Sequence, residues 1–111
     1  MTLSYEDFSK VDIRSGTVVK TEPFSRAHKP AYKVWVDFGP DMGVLQTSAQ
    51  VTVHYTPGTL IGRQILGVVN LGKKNIAGFE SQFLMVGCAD ENGAICLATL
   101  EPQVSNGKKL H

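Results

Sequence analysis

Several things are missing from this chain, and each absence closes off a class of function. No apolar stretch approaches the roughly 20 residues that a bilayer-spanning helix needs. The opening "MTLSYEDFSK" has neither the basic start nor the apolar middle of a signal peptide, so a cytoplasmic location is expected. Charge of one sign is also lacking: eleven Lys and Arg stand against ten Asp and Glu, for a formal net charge of +1. A charge that small sets up no global attraction for nucleic acid, and any such binding has to come from a local patch. Cysteine is limited to Cys88 and Cys96, which bracket the turn signal "ADENGA". A hairpin loop at Glu91-Asn92-Gly93 would set the two thiols opposite each other. A disulfide is then geometrically open, whereas a cytosolic compartment favours two reduced, half-buried thiols. The histidines (His28, His54 and His111) have no ligand spacing, so neither a metal site nor a cofactor is expected. Ser48, Ser81, His28, His54 and Asp37 are scattered, with no nucleophile elbow, phosphate loop or paired carboxylates. The chain reads as a binding protein and not an enzyme.

What is present is short-period apolar patterning. The 111 residues are the size of a single domain, spanning residues 1–111, and 42% hydrophobic with 19% charged residues is globular composition. A chain this short buries roughly two thirds of its unfolded surface, so a second copy would help cover it. Ser4 can cap a single helical turn over residues 5–9, with Asp7 at the third position. "VDIRSGTVVK" reads as a first strand, with Gly16 expected at a bulge or bend. "PFSRAHKP" is a loop. In "AYKVWVDF", Tyr32, Val34, Val36 and Phe38 share one face. "MGVLQTSA" is a third strand, and "QVTVHYTPGTLIG" is expected to hold a short helix plugging a barrel end. "QILGVVNL" is apolar throughout, as a strand buried on both faces would be. "FLMVGCA" and "AICLATL" form a hairpin around Asn92-Gly93. "EPQVSNGKKLH" is a tail anchored by Val104. This order predicts an all-β protein: a five-stranded OB-fold barrel with a short helical insert and terminal extensions, with a β-sandwich as the alternative.

The stretches "VDIRSGTVV", "AYKVWVDFG", "GRQILGVVNL", "IAGFES" and "PQVSNGKKL" stand in an order that resembles the tRNA-binding domain family. The likeness covers roughly residues 6–110. Details such as "LQTSAQVT" and "VVNLGKKNIAGFESQFLMVG" are similar to the family's stand-alone bacterial branch of secretion-associated chaperones. The resemblance implies a homodimeric OB barrel that binds unfolded preprotein or peptide, or else tRNA. Members that bind tRNA commonly carry Ser-Glu-Gly-Met where this chain has Ser81-Gln82-Phe83-Leu84, and often a His-Pro-x-Ala-Asp loop where it has "RAHKPAY". These departures lean toward the chaperone branch.

The candidate ligand-binding residues follow from parity and from that resemblance. Arg14 should point away from the core, to meet a phosphate or to pair with Asp12 or Asp37. Trp35 should share the outer face with Lys33 and Asp37, where OB folds commonly bind ligands, or else lie at a dimer seam. Lys73, Lys74 and Asn75 should cap the fourth strand on a turn, as steering charges or as plain solubility residues. Gly78 is expected to supply the backbone angle of that turn. Ser81 and Gln82 lie in the family's recognition segment. Phe79 and Phe83 flank them, as core, pocket wall or interface.

Overall fold

The computed structural model describes all of residues 1–111. Its elements run α1 (Tyr5–Ser9), β1 (Ile13–Pro23), β2 (Tyr32–Asp37), β3 (Val44–Ala49), α2 (Pro57–Leu60), β4 (Gln64–Val68), β5 (Lys74–Ile76), β6 (Phe79–Ser81), β7 (Leu84–Met85), β8 (Gly87–Ala89) and β9 (Ile95–Leu97). Five strands form one antiparallel sheet in the order β3-β2-β1-β4-β7, and β5-β6 and β8-β9 are separate hairpins. The sheet curls into a nearly closed barrel, the expected OB-fold. No helix is long and apolar enough to cross a membrane.

Local chemistry explains the short elements. The Ser4 hydroxyl accepts the Asp7 amide at 3.0 Å, starting α1 as the cap pattern predicts. Thr56 and Thr59 form a reciprocal capping box on α2, with Pro57 at its first position. α2 lowers Leu60, fully buried, into the barrel end.

The core follows the alternation in β2: Val34, Val36 and Phe38 are buried, and β4 is buried at every position. Gly16 marks no bulge. It pairs regularly with Ile65 in the β1–β4 ladder, and its missing side chain makes room for Phe38. A Cβ there would stand 2.5 Å from Val36 Cγ1 and 2.9 Å from the Phe38 ring, and one on Gly67 would stand 2.8 Å from the same ring. The bulge of β1 falls instead at Val19, between the pairs Val18↔Val36 and Lys20↔Trp35. The extra residue reverses the alternation, so that Val18 points inward and Lys20 lies on the outer face with Trp35.

β3 is an edge strand whose outward amides are answered by side chains. Gln82 Oε1 accepts the Gln46 amide at 3.0 Å, Ser81 Oγ accepts the Ser48 amide at 2.9 Å, and the Gln82 amide donates to Gln46 O at 2.8 Å. Thr47 Oγ1 donates to Phe83 O at 2.6 Å, drawing β3 toward the chain that enters β7. The C-terminal tail lies along β1. Ser15 donates to Lys108 O at 2.9 Å, and Leu110 donates to Ile13 O at 2.8 Å.

Candidate ligand-binding surfaces

Two surfaces can hold a ligand. The first is an aromatic and cationic platform outside β1 and β2. Trp35 is half-buried there, and its Nε1 donates to Gln46 Oε1 at 3.2 Å. The Lys20 ammonium lies 4.6 Å from the Trp35 ring centroid. Phe79 packs edge-on against Trp35 at 5.8 Å and against Phe24 at 5.6 Å. The Lys33 ammonium stands 5.0 Å from the Phe24 ring and 5.1 Å from the Phe79 ring. Trp35 therefore sits on the outer face, as its parity predicts, with Lys33 beside it. Cations held over aromatic faces gain attraction from the ring quadrupoles while their charge stays in reach of solvent.

The second surface is a groove of about 650 Å³ between β3, the β5-β6 hairpin and the β8-β9 hairpin. Ile76, Leu84, Met85, Ile95 and Leu97 give it apolar walls, and Lys73 and Lys74 stand at its lip. Leu84 is 54% exposed within it. The β5-β6 hairpin turns through Ala77 and Gly78, at φ 49° and 86°. Two positive values mark the I′ turn that suits the twist of a two-residue hairpin. Gly78 supplies the angle as expected, and Ala77 takes it against the preference of an L-residue.

The remaining candidates divide between the surface and the scaffold. Lys73 pairs with Glu80 at 3.6 Å, both exposed, and Lys74 is exposed. They open a hairpin of their own and do not simply cap β4. Asn75 Oδ1 accepts the Gly78 amide at 2.9 Å and shapes the turn. Ser81 Oγ and Gln82 Oε1 accept from the edge of β3, and Gln82 Nε2 donates to Glu80 Oε1 at 3.2 Å. Phe83 is a core residue, 5% exposed, with its ring edge-on to Phe38 at 4.9 Å, so it reaches the groove only as its floor. Arg14 makes contacts within the scaffold. Its Nε donates to Asp12 Oδ1 at 2.6 Å and its Nη1 to Gly107 O at 3.0 Å, tying the tail to β1. The hydrogen bond that the guanidinium donates to the Asp12 carboxylate raises the Arg14 pKa above its ordinary value.

Two features escaped the sequence. Cys88 and Cys96 stand opposite each other in the β8-β9 ladder as expected, but both are free and exposed where half-burial was expected, because β8-β9 is a two-stranded sheet apart from the barrel and β8 is exposed throughout. His54, far from either in sequence, places Nε2 2.7 Å from Asp90 Oδ2. That contact, followed by the Ala94 and Asn92 amides, holds the Asp90 carboxyl below its ordinary pKa. No local spacing announces a contact made across 36 residues.

With this geometry in view, known relatives can be compared. The crystal structure of chaperone CsaA from Bacillus anthracis superposes with a TM-score of 0.93 at 40% identity, covering 100% of both chains. CsaA from Picrophilus torridus gives 0.92 at 38% identity, over 99% of this chain and 100% of that one. The methionine–tRNA ligase of Methanosarcina mazei is 33% identical over 109 residues, which is 97% of this chain and 15% of that protein. The chain thus spans about 15% of the length of the curated relatives it matches. The family profile described as "Putative tRNA binding domain" matches residues 13–109, and the chain belongs to that family.

Proposed function

We propose that this protein is a CsaA-like chaperone that holds unfolded, export-competent polypeptide segments in the groove between β3 and the two hairpins. The observation that carries the reading is the groove itself: about 650 Å³, apolar-walled, with lysines only at its lip, on a chain of net charge +1. Each Leu- or Phe-sized client side chain that becomes fully buried there contributes roughly 1.5–3 kcal/mol before the cost of ordering the client. Strand addition is a poor route on this fold, because Ser81 and Gln82 already occupy the outward amides of β3. The likeness to CsaA over the full chain supports the same reading. A cytoplasmic location and a homodimer belong to it. Leu3, Tyr5 and Val104 are 61%, 77% and 42% exposed, apolar surface that a second copy can cover.

A second reading, tRNA binding, is favoured by the platform, where Trp35 and Phe79 offer aromatic surface beside Lys20 and Lys33. The deciding experiment titrates the protein with a fluorescent unfolded preprotein segment and, separately, with tRNA, using L84E in the groove and W35A on the platform. Loss of polypeptide binding in L84E with W35A near wild type supports the chaperone. Loss of tRNA binding in W35A, with no polypeptide binding by wild type, supports the alternative.

A further inference from the structure

The contact between His54 and Asp90 has a third member. A ring nitrogen of His54, a carboxylate oxygen of Asp90 and Sγ of Cys96 all lie within 4.8 Å of one another. The three come from two elements that meet only in the fold: His54 from the loop before α2, and Asp90 and Cys96 from the β8-β9 hairpin. The geometry points to a binding site for a zinc-class divalent cation, with His54, Asp90 and Cys96 as its ligands.

The set matches zinc chemistry. One imidazole, one carboxylate and one thiolate are ligand types that zinc accepts together, and sulfur and nitrogen donors select against calcium and magnesium. Bond lengths of about 2.0–2.3 Å put tetrahedral ligand atoms roughly 3.5 Å apart. Side-chain turns at the surface can bring Cys96 Sγ in from within 4.8 Å and open the 2.7 Å contact of His54 with Asp90 to that spacing, since His54 and Cys96 are exposed. Three protein ligands leave a fourth position for water. Cys88 pairs directly with Cys96 in the ladder, so the two side chains leave the same face of the hairpin.

The surroundings already orient the ligands. Asp90 divides its carboxylate: Oδ1 accepts the Asn92 and Ala94 amides, each at 2.9 Å, and Oδ2 is turned to His54. The hairpin turn thereby fixes the carboxylate plane, as outer partners do in built metal sites. The loop of His54 is tied to the hairpin without metal, because the Leu97 amide donates to the Tyr55 hydroxyl at 2.8 Å. Tyr32 Oη in turn donates to Tyr55 O at 2.9 Å. An ion seated here would brace the hairpin that carries Ile95 and Leu97 into the groove. Binding displaces the Cys96 thiol proton to solvent, the imidazole proton shared with Asp90 moves to the ring nitrogen of His54 that does not ligate, and no electron is exchanged.

The test uses full-length protein without a histidine tag, stripped with chelator and kept in a non-thiol reductant. Zn²⁺ is titrated by calorimetry, and Co²⁺ is used as a spectroscopic probe. Expected are one ion per chain, a thiolate-to-cobalt charge-transfer band, and no response to Ca²⁺ or Mg²⁺. H54A and C96S should each weaken Zn²⁺ at least as much as loss of an outer-shell partner, roughly 100-fold. Neither residue is in the core, and circular dichroism checks that both variants fold. Zn²⁺ should also raise the melting temperature of wild type and leave that of C96S unmoved. Absence of binding at micromolar Zn²⁺, or binding that survives H54A or C96S, overturns the site and leaves His54 and Asp90 as an ordinary ion pair.

Discussion

The Lys20 ammonium stands 4.6 Å from the centre of the Trp35 ring because Val19 is an extra residue in β1. With Val19 in register and no bulge, strict alternation would turn Lys20 inward, toward the space filled by Val34 and Val36. With it, Lys20 and Glu22 share the outer face with Lys33 and Trp35, and Lys20 pairs with Glu22 at 3.4 Å. Deleting Val19 should therefore join the pairs Val18↔Val36 and Lys20↔Trp35 into an unbroken ladder and leave Lys20 on the outer face. K20M, in contrast, removes one exposed cation–π contact of about 0.5–1 kcal/mol. Trp35 emission should shift in K20M and stay close to wild type in the deletion. An equal shift in both variants would show that Lys20 leaves the Trp35 ring when the bulge is removed.

Phe38 lies over Gly16 and Gly67, and either glycine replaced by alanine drives a methyl into its ring. Overpacking of this kind costs about 1–3 kcal/mol. G16A and G67A should each lower the urea midpoint with the slope unchanged. A double variant with F38L should recover part of the loss, since the smaller side chain returns the space. No recovery in that double variant would place the strain elsewhere.

The ease of reading β2 and the difficulty of reading β1 have one physical origin. A period-two pattern reports which face a residue takes only while the ladder is unbroken, and β2 pairs without a slip against β3. β1 carries a slip, and Val18-Val19 gives no local sign of it. Gly16 looked like the irregular position because glycine permits bulges, but here it answers to a ring that arrives from β2. α1 and α2 were legible because their caps lie within three residues of one another. Phe79 and Phe83, four positions apart, look alike in sequence. Only the turn at Ala77-Gly78 and the pull of Thr47 on Phe83 O separate a platform residue from a core one. The cluster of His54, Asp90 and Cys96 had no local signature at all.

Ala77 holds a positive φ of 49° in the β5-β6 turn, where a left-handed L-residue costs roughly 1–2 kcal/mol. Asparagine tolerates that region better. A77N should therefore raise the thermal midpoint slightly, and A77V should lower it. Amide exchange at Ile76 and Phe79 should slow in the first variant and quicken in the second. The opposite order would mean that the hairpin is held by its packing on Trp35 and Phe24 and not by its turn.

Arg14 ties Asp12 on one side to the Gly107 carbonyl on the other. Side chains of 31% and 26% exposure keep some of the value of a charged hydrogen bond, and solvent removes the rest. R14A should cost about 1 kcal/mol and speed exchange at the amides of Lys108 and Leu110, which bond to β1. It should leave the salt dependence of any tRNA binding as it is in wild type. A flatter salt slope in R14A, with the tail still protected, would return Arg14 to the role of a phosphate contact.

The lysines at the groove lip separate the two functional readings. If Lys73 and Lys74 grip tRNA, each neutralises a phosphate and releases condensed counterions, worth about 0.7 per contact on single strands and 0.9 on duplex in the logarithmic salt slope. K73A/K74A should then flatten the tRNA slope by roughly 1.4–1.8. If the groove holds polypeptide, its affinity comes from apolar burial and responds only mildly to salt. Lys73 is already pairing with Glu80 at an exposed 3.6 Å, so its loss releases little from the fold. The expected result is a small effect of the double lysine variant on polypeptide binding and a large one of L84E or I76D, with both variants folded. F79A should fall between them, because Phe79 braces the hairpin against Trp35 and does not line the groove. A steep tRNA slope that the double variant flattens, in a protein that L84E leaves unaffected, would assign the lip to nucleic acid.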